Sequence, residues 1–128
     1  MIDWEKLIAA ARTVRDNAYA RFSGFKVGAA LLSSDGRIFT GCNVENSSYG
    51  LTICAERTAL FKAVSEGARD ITALALFTDA TPPARPCGAC RQVLYEFNPD
   101  MEIRSANLAG KVEKFKLSEI FPEGFRLE

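Results

Sequence analysis

The 128-residue sequence contains no histidine. This removes every mechanism that needs an imidazole base and every metal site that needs an imidazole ligand, so any bound metal must rest on thiolates and carboxylates. Net charge is also absent, since 16 Lys and Arg balance 16 Asp and Glu. A chain that binds nucleic acid through its phosphates would carry a basic excess. No apolar run is long enough for a membrane-spanning helix. The start, Met1-Ile2-Asp3-Trp4-Glu5-Lys6, has neither the basic residues nor the apolar stretch of a secretory leader. We therefore expect a cytoplasmic protein with no membrane and no nucleic-acid partner. In that compartment four cysteines read as metal ligands, catalytic groups or core residues rather than disulfides. What remains is ordinary globular material, 48% apolar and 25% charged, with a length that suits a single domain over residues 1–128.

Periodicity and turn residues divide the chain. Trp4, Leu7, Ile8, Ala11, Val14 and Ala18 recur at three- and four-residue steps, predicting a helix over residues 3–20 with Asp3 as N-cap. Residues 26–32 read as a buried strand, and Asp35-Gly36 turns the chain into a return strand over 37–44. After a polar loop to Thr52, residues 54–66 form a helix closed by Gly67, and 71–78 a third strand. The Pro-rich stretch 81–86 must be irregular. A helix over 87–97 stops at Asn98-Pro99. Two short strands over 101–106 and 111–117 and a last helical turn before Pro122 complete the order. We expect an α/β fold, a three-layer α/β/α sandwich around a five-stranded mixed sheet. Asn107–Gly110 is too short for a parallel crossover, so the last two strands should be antiparallel.

Two motifs carry chemistry: Cys54-Ala55-Glu56 and Pro86-Cys87-Gly88-Ala89-Cys90. Each lies where a loop enters a predicted helix. The C-x-x-C spacing sets two sulfurs on one helical turn, and Cys54 supplies a third from the start of the other helix. Both helix N-termini turn their positive ends to the thiolates. Three protein ligands leave the fourth tetrahedral position open, which marks a catalytic rather than a structural zinc, one per chain. Zinc with three thiolates carries a net negative charge, and Arg57 is placed to donate to a thiolate and offset it. Glu56, two residues from a ligand, is better placed to move protons than to coordinate. A lone C-x-x-C reads more readily as a redox pair or half a structural site; C-x-E followed by P-C-x-x-C is far more specific. Cys42 would be the fourth ligand of a four-thiolate structural site, but beside Gly41 in a predicted strand it reads rather as a small buried residue.

These residues resemble the cytidine deaminase family, in particular its short, all-cysteine, homotetrameric branch. The likeness runs through Phe22-Ser23-Gly24-Phe25-Lys26-Val27-Gly28-Ala29-Ala30, Asn43-Val44-Glu45-Asn46, Tyr49-Gly50, Cys54-Ala55-Glu56-Arg57-Thr58-Ala59 and Pro86-Cys87-Gly88-Ala89-Cys90-Arg91-Gln92. It implies hydrolytic deamination of free cytidine and 2′-deoxycytidine in pyrimidine salvage, with Glu56 shuttling protons, as zinc deaminases in general do. It further implies that Asn43 and Glu45 bind the ribose, that Phe25 walls the pyrimidine, and that the backbone at Ala55 and Glu56 reads the base edge. Ser47, Tyr49 and Phe125 resemble positions that reach across subunits, so a homotetramer with shared pockets is expected. The segment 33–41 also resembles blasticidin S deaminases, but those depart from the pattern Asn43-Val44-Glu45-Asn46, and we rank cytidine ahead. A polynucleotide-editing deaminase fits the zero charge and the short 107–110 turn poorly. A non-catalytic zinc module leaves Glu56 without a role.

Overall fold

The structure, a computed structural model, describes residues 1–127. Its sheet is built on two hairpins joined by helical crossovers. Strand β1 (Gly28–Ser33) pairs antiparallel with β2 (Ile38–Cys42) on one side and with β3 (Ile71–Thr78) on the other. β3 pairs in parallel with β4 (Glu102–Asn107), and β4 antiparallel with β5 (Val112–Lys116), giving the order β2-β1-β3-β4-β5. Helix α1 (Trp4–Arg15) covers one face. Helix α2 (Ala55–Ser65) joins β2 to β3 across the other, where it also meets α3 (Gly88–Tyr95), the crossover between β3 and β4. A single turn, α4 (Leu117–Ile120), follows β5. The result is the expected three-layer sandwich.

Side-chain size decides which helix lies on which face. Strand residues alternate sides, and β3 turns Leu74 and Leu76 toward the α2 and α3 side, where Leu31, Leu60, Leu94 and Ile103 fill the larger core. Its Ala73 and Ala75 join Ala30 and Ala106 beneath α1. A floor of alanines lets α1 settle close to the sheet. At Gly28 the approach leaves no room for a side chain: a Cβ there would overlap the Ala11 carbonyl and stand 2.9 Å from the Arg15 backbone nitrogen. On the opposite face Gly41 plays the same part beneath α2.

Several boundaries differ from expectation. α1 ends at Arg15, not near residue 20; Tyr19 instead bridges Val44, its N–H donating to the Asn43 carbonyl. β1 starts at Gly28 and β2 stops at Cys42 because the Asn43 side chain takes over the pairing: its Oδ1 accepts from Val27 N at 2.9 Å and its Nδ2 donates to the Phe25 carbonyl at 2.8 Å. The loop from Asn43 contains a 3-10 turn at Tyr49–Leu51. No helix among the described residues is long and apolar enough to cross a membrane.

Two surface carboxylates tie loops by accepting hydrogen bonds. Glu45 takes the Ser23 hydroxyl and the Ser23 and Phe22 amides; Asp35 takes the Ser33 hydroxyl and the Arg37 amide and guanidinium. The serine hydroxyl in each case is the chief cause that holds the carboxyl below its ordinary value, 4.5 for Glu45 and 3.8 for Asp35. Groups depressed in the folded state stabilise it above their unfolded values, and that stability is lost as pH falls through the folded values. Glu45→Gln should therefore melt closer to wild type at about pH 3 than at about pH 6. Parallel melting curves at the two pH values check this.

Candidate active site

Three thiols meet where the two inner helices begin. Cys54 is the N-cap of α2 and Cys87 that of α3, both in extended backbone conformation. The sulfurs of Cys54, Cys87 and Cys90 all lie within 4.8 Å of one another, with Cys54 and Cys87 3.8 Å apart. Cys90 is buried, Cys54 half-buried and Cys87 exposed, and none is in a disulfide. The Cys90 amide donates to the Cys87 sulfur at 3.5 Å, closing the turn around the pair. Cys42 is also free, but stands at the end of β2 outside the cluster.

The electrostatics of the cluster favour anionic sulfur. The Cys54 thiol is pulled down to about 5, first by its hydrogen bond with Cys90 and then by Arg57 and Cys87, against the opposing effect of burial. Cys90 moves the other way, first because its thiol shares its proton in the hydrogen bond with Cys54, then because it is buried and faces the negative charges of Glu56 and Cys54. Arg57 donates from Nη2 to the Cys54 sulfur at 3.5 Å, and this contact holds its guanidinium more firmly protonated. Its Nε is buried with no hydrogen-bond partner among the described residues. Three sulfurs, two helix N-termini and a guanidinium form a donor set that fits zinc, which takes soft thiolates in tetrahedral geometry. Arg57→Gln should lower turnover and metal affinity about 10–100-fold, the usual effect of losing an outer partner of a ligand; chelator titration and initial rates check it.

Glu56 follows in the first turn of α2 and is only 5% exposed. Burial is the main cause that lifts its carboxyl to about 7. A group poised there near neutral pH can both take and give a proton. Beside it opens a cavity of about 190 Å3, walled by Phe25, Val27 and Leu76, with Asn43, Thr52, Glu56 and Arg85 as polar groups and Cys54 and Cys87 also lining it.

The remaining expected residues divide. Phe25, Asn43 and Ala55 line this cavity with Glu56. Glu45 lies in an adjoining hollow of about 390 Å3 with Phe22, Ser23, Tyr49 and Thr52, and Thr52 lines both. Ser47 is exposed, and Tyr49 and Phe125 are 74% and 65% exposed, and none of the three lines this cavity. Phe125 is nevertheless fixed: Gln92 of α3 accepts from its amide at 3.2 Å and donates to its carbonyl at 2.6 Å. Sequence reasoning passed over Val27, Leu76 and Arg85 as lining residues. Val27, just before β1, and Leu76, within β3, are apolar residues with no polar signal, and Arg85 lies in a loop whose path periodicity does not fix.

Comparison with known proteins agrees with this arrangement. Residues 1–104 match the family described as cytidine and deoxycytidylate deaminase zinc-binding region. A cytidine deaminase of Sporosarcina psychrophila is 51% identical, covering 99% of this chain and 94% of that protein. One from Halalkalibacterium halodurans is 50% identical, covering 99% and 97%. The crystal structure of cytidine deaminase from Burkholderia pseudomallei superposes with a TM-score of 0.93 at 47% identity, covering 98% of this chain and 100% of that one. The cytidine deaminase structure from Mycobacterium tuberculosis gives 0.86 at 39% identity, covering 99% and 100%. With residues 1–104 matching that family, relatives about half identical over nearly the whole chain, and the fold shared at this level, the chain belongs to the cytidine and deoxycytidylate deaminase family.

Proposed function

We propose that this protein hydrolyses the exocyclic C–N bond of free cytidine and 2′-deoxycytidine, releasing uridine or 2′-deoxyuridine and ammonia in pyrimidine salvage, and that residues 1–128 act as one catalytic domain. One observation carries the reading: a three-thiol cluster presents two of its members, Cys54 and Cys87, together with a buried carboxyl to a single, largely apolar cavity. Cys54, Cys87 and Cys90 would hold one zinc, which when bound supplies the Lewis acidity that makes water nucleophilic at neutral pH. Glu56 takes the proton of the attacking water and passes it to ring N3. It then takes the hydroxyl proton of the adduct and gives it to the amino nitrogen, which leaves as ammonia. Phe25, with Val27 and Leu76, excludes water around the pyrimidine plane. The Ala55 and Glu56 backbone at the head of α2 faces the base edge. Asn43 keeps a second amide hydrogen and a second lone pair free after bonding Phe25 and Val27, enough to meet a ribose hydroxyl. Glu45 offers the second ribose contact across the rim shared through Thr52.

Exposed Phe22, Tyr49, Leu51 and Phe125 support burial against further copies of the chain. We read the assembly as a homotetramer in which Ser47, Tyr49 and Phe125 complete neighbouring pockets. Light scattering should give four chains. Free thiols in the site suit the reducing cytoplasm, and zero net charge suits an unphosphorylated nucleoside better than a nucleic acid.

The deciding experiment follows the ultraviolet absorbance of cytidine with purified protein, alongside zinc per chain. Loss of the cytidine signal with about one zinc per chain is expected. Zinc bound without turnover would defeat the assignment of substrate.

A further inference from the structure

We infer that Arg91 is a positioning residue for the metal turn: it ties the Pro86 carbonyl, one residue before Cys87, to the Ile120 carbonyl at the end of α4. The inference rests on the reading of Cys54, Cys87 and Cys90 as zinc ligands. Arg91 Nε donates to Pro86 O and its Nη1 to Ile120 O, both at 2.7 Å. Bonds from a charged donor are the stronger kind, and a planar guanidinium fixes the direction of both at once.

The segment that leads into Cys87 depends on this contact. Among the described residues, no hydrogen bond other than the one from Arg91 holds any group of residues 81–86. The Pro86 ring is fully buried, so its carbonyl is anchored on one side by packing and on the other by Arg91. Cys87 itself is exposed. No carboxylate pairs with Arg91 among the described residues. Arg91 sits beside Cys90 in the sequence, so one helical turn carries a ligand and the clamp that sets the other ligand of that turn.

The test is the rate at which zinc-loaded protein, without substrate, releases its metal to 4-(2-pyridylazo)resorcinol. Arg91→Met should release zinc about 10–100-fold faster than wild type. Arg91→Lys should fall between them, since an ammonium keeps the charge but cannot reach both carbonyls in one plane. Arg69→Met is the control for general loosening, because Arg69 makes two similar bonds to the Val64 and Ala68 carbonyls at the far end of α2. It should release zinc at the wild-type rate. Arg91→Met matching wild type, or Arg69→Met accelerating release as much, would overturn the role. Should Arg91→Met fail to fold, Arg91→Lys decides by the same criterion. A wild-type protein that takes up no zinc would instead defeat the metal-centre reading, and the role of Arg91 with it.

Discussion

Glu56→Gln is expected to lower cytidine turnover about 10²–10⁴-fold, the range for losing a positioned acid–base group, and to leave zinc at about one per chain. Glutamine keeps the shape and hydrogen-bonding reach of the side chain but cannot carry a proton between water and substrate. The loss should fall on kcat, with KM for cytidine changing far less, because the proton moves only during reaction. Stability should not suffer. The native carboxyl is buried, and desolvation disfavours its charged form; a neutral amide in the same place avoids that cost. Steady-state kinetics, metal analysis and a melting curve on one preparation test all three. Turnover within tenfold of wild type would remove Glu56 from the reaction. Loss of zinc would make it a ligand instead.

Gly41→Ala should injure fold and site together. A Cβ at residue 41 would overlap the Ala59 backbone nitrogen and lie 2.8 Å from the Ala55 carbonyl and 2.9 Å from the Ala59 Cα. All three are main-chain atoms of α2, so no side chain can swing aside and the helix itself must lift. Forcing a methyl into such a contact costs about 1–3 kcal/mol, occasionally more, and should lower the melting temperature by about 5 °C or more. Ala55 lies between Cys54 and Glu56, so the displaced turn is the one that carries both. A shift of about 1 Å at a reacting group can cost 10²-fold in rate, and turnover should fall further than stability alone explains. Cys42→Ser, one residue along and outside the thiol cluster, should stay near wild type in both measurements. Equal damage at the two positions would show that the close approach of α2 is not what matters.

The parts legible in the sequence were those fixed by local chemistry. The helix starts at Cys54 and Cys87, the Asp35-Gly36 hairpin and the chain order of the strands all follow from periodicity and turn residues. The thiol cluster follows from motif spacing. Other parts depend on contacts far apart in the chain. Asn43 reads as the end of a strand, yet its carboxamide stands in for ladder bonds and thereby ends both β1 and β2. Tyr19 reads as helix and is drawn into a bridge with Val44. Leu76 reads as core and also walls the cavity. Arg91 reads as a surface position on a helix, because nothing in the local sequence says that Ile120 will lie beside it.

The separation of the ligands along the chain governs when the protein can acquire its metal. Cys87 and Cys90 emerge from the ribosome 33 and 36 residues after Cys54, with β3 between them. Until β3 has paired with β1, joining the two halves means closing that stretch as a free loop against its own entropy. A nascent chain thus offers first one of the three site thiols and only later the Cys87–Cys90 pair. Zinc capture is accordingly a late event in biogenesis, and a ribosome-stalled chain ending before residue 87, whose thiols are Cys42 and Cys54, should hold no more metal than the cytosolic buffers leave to unclustered cysteines.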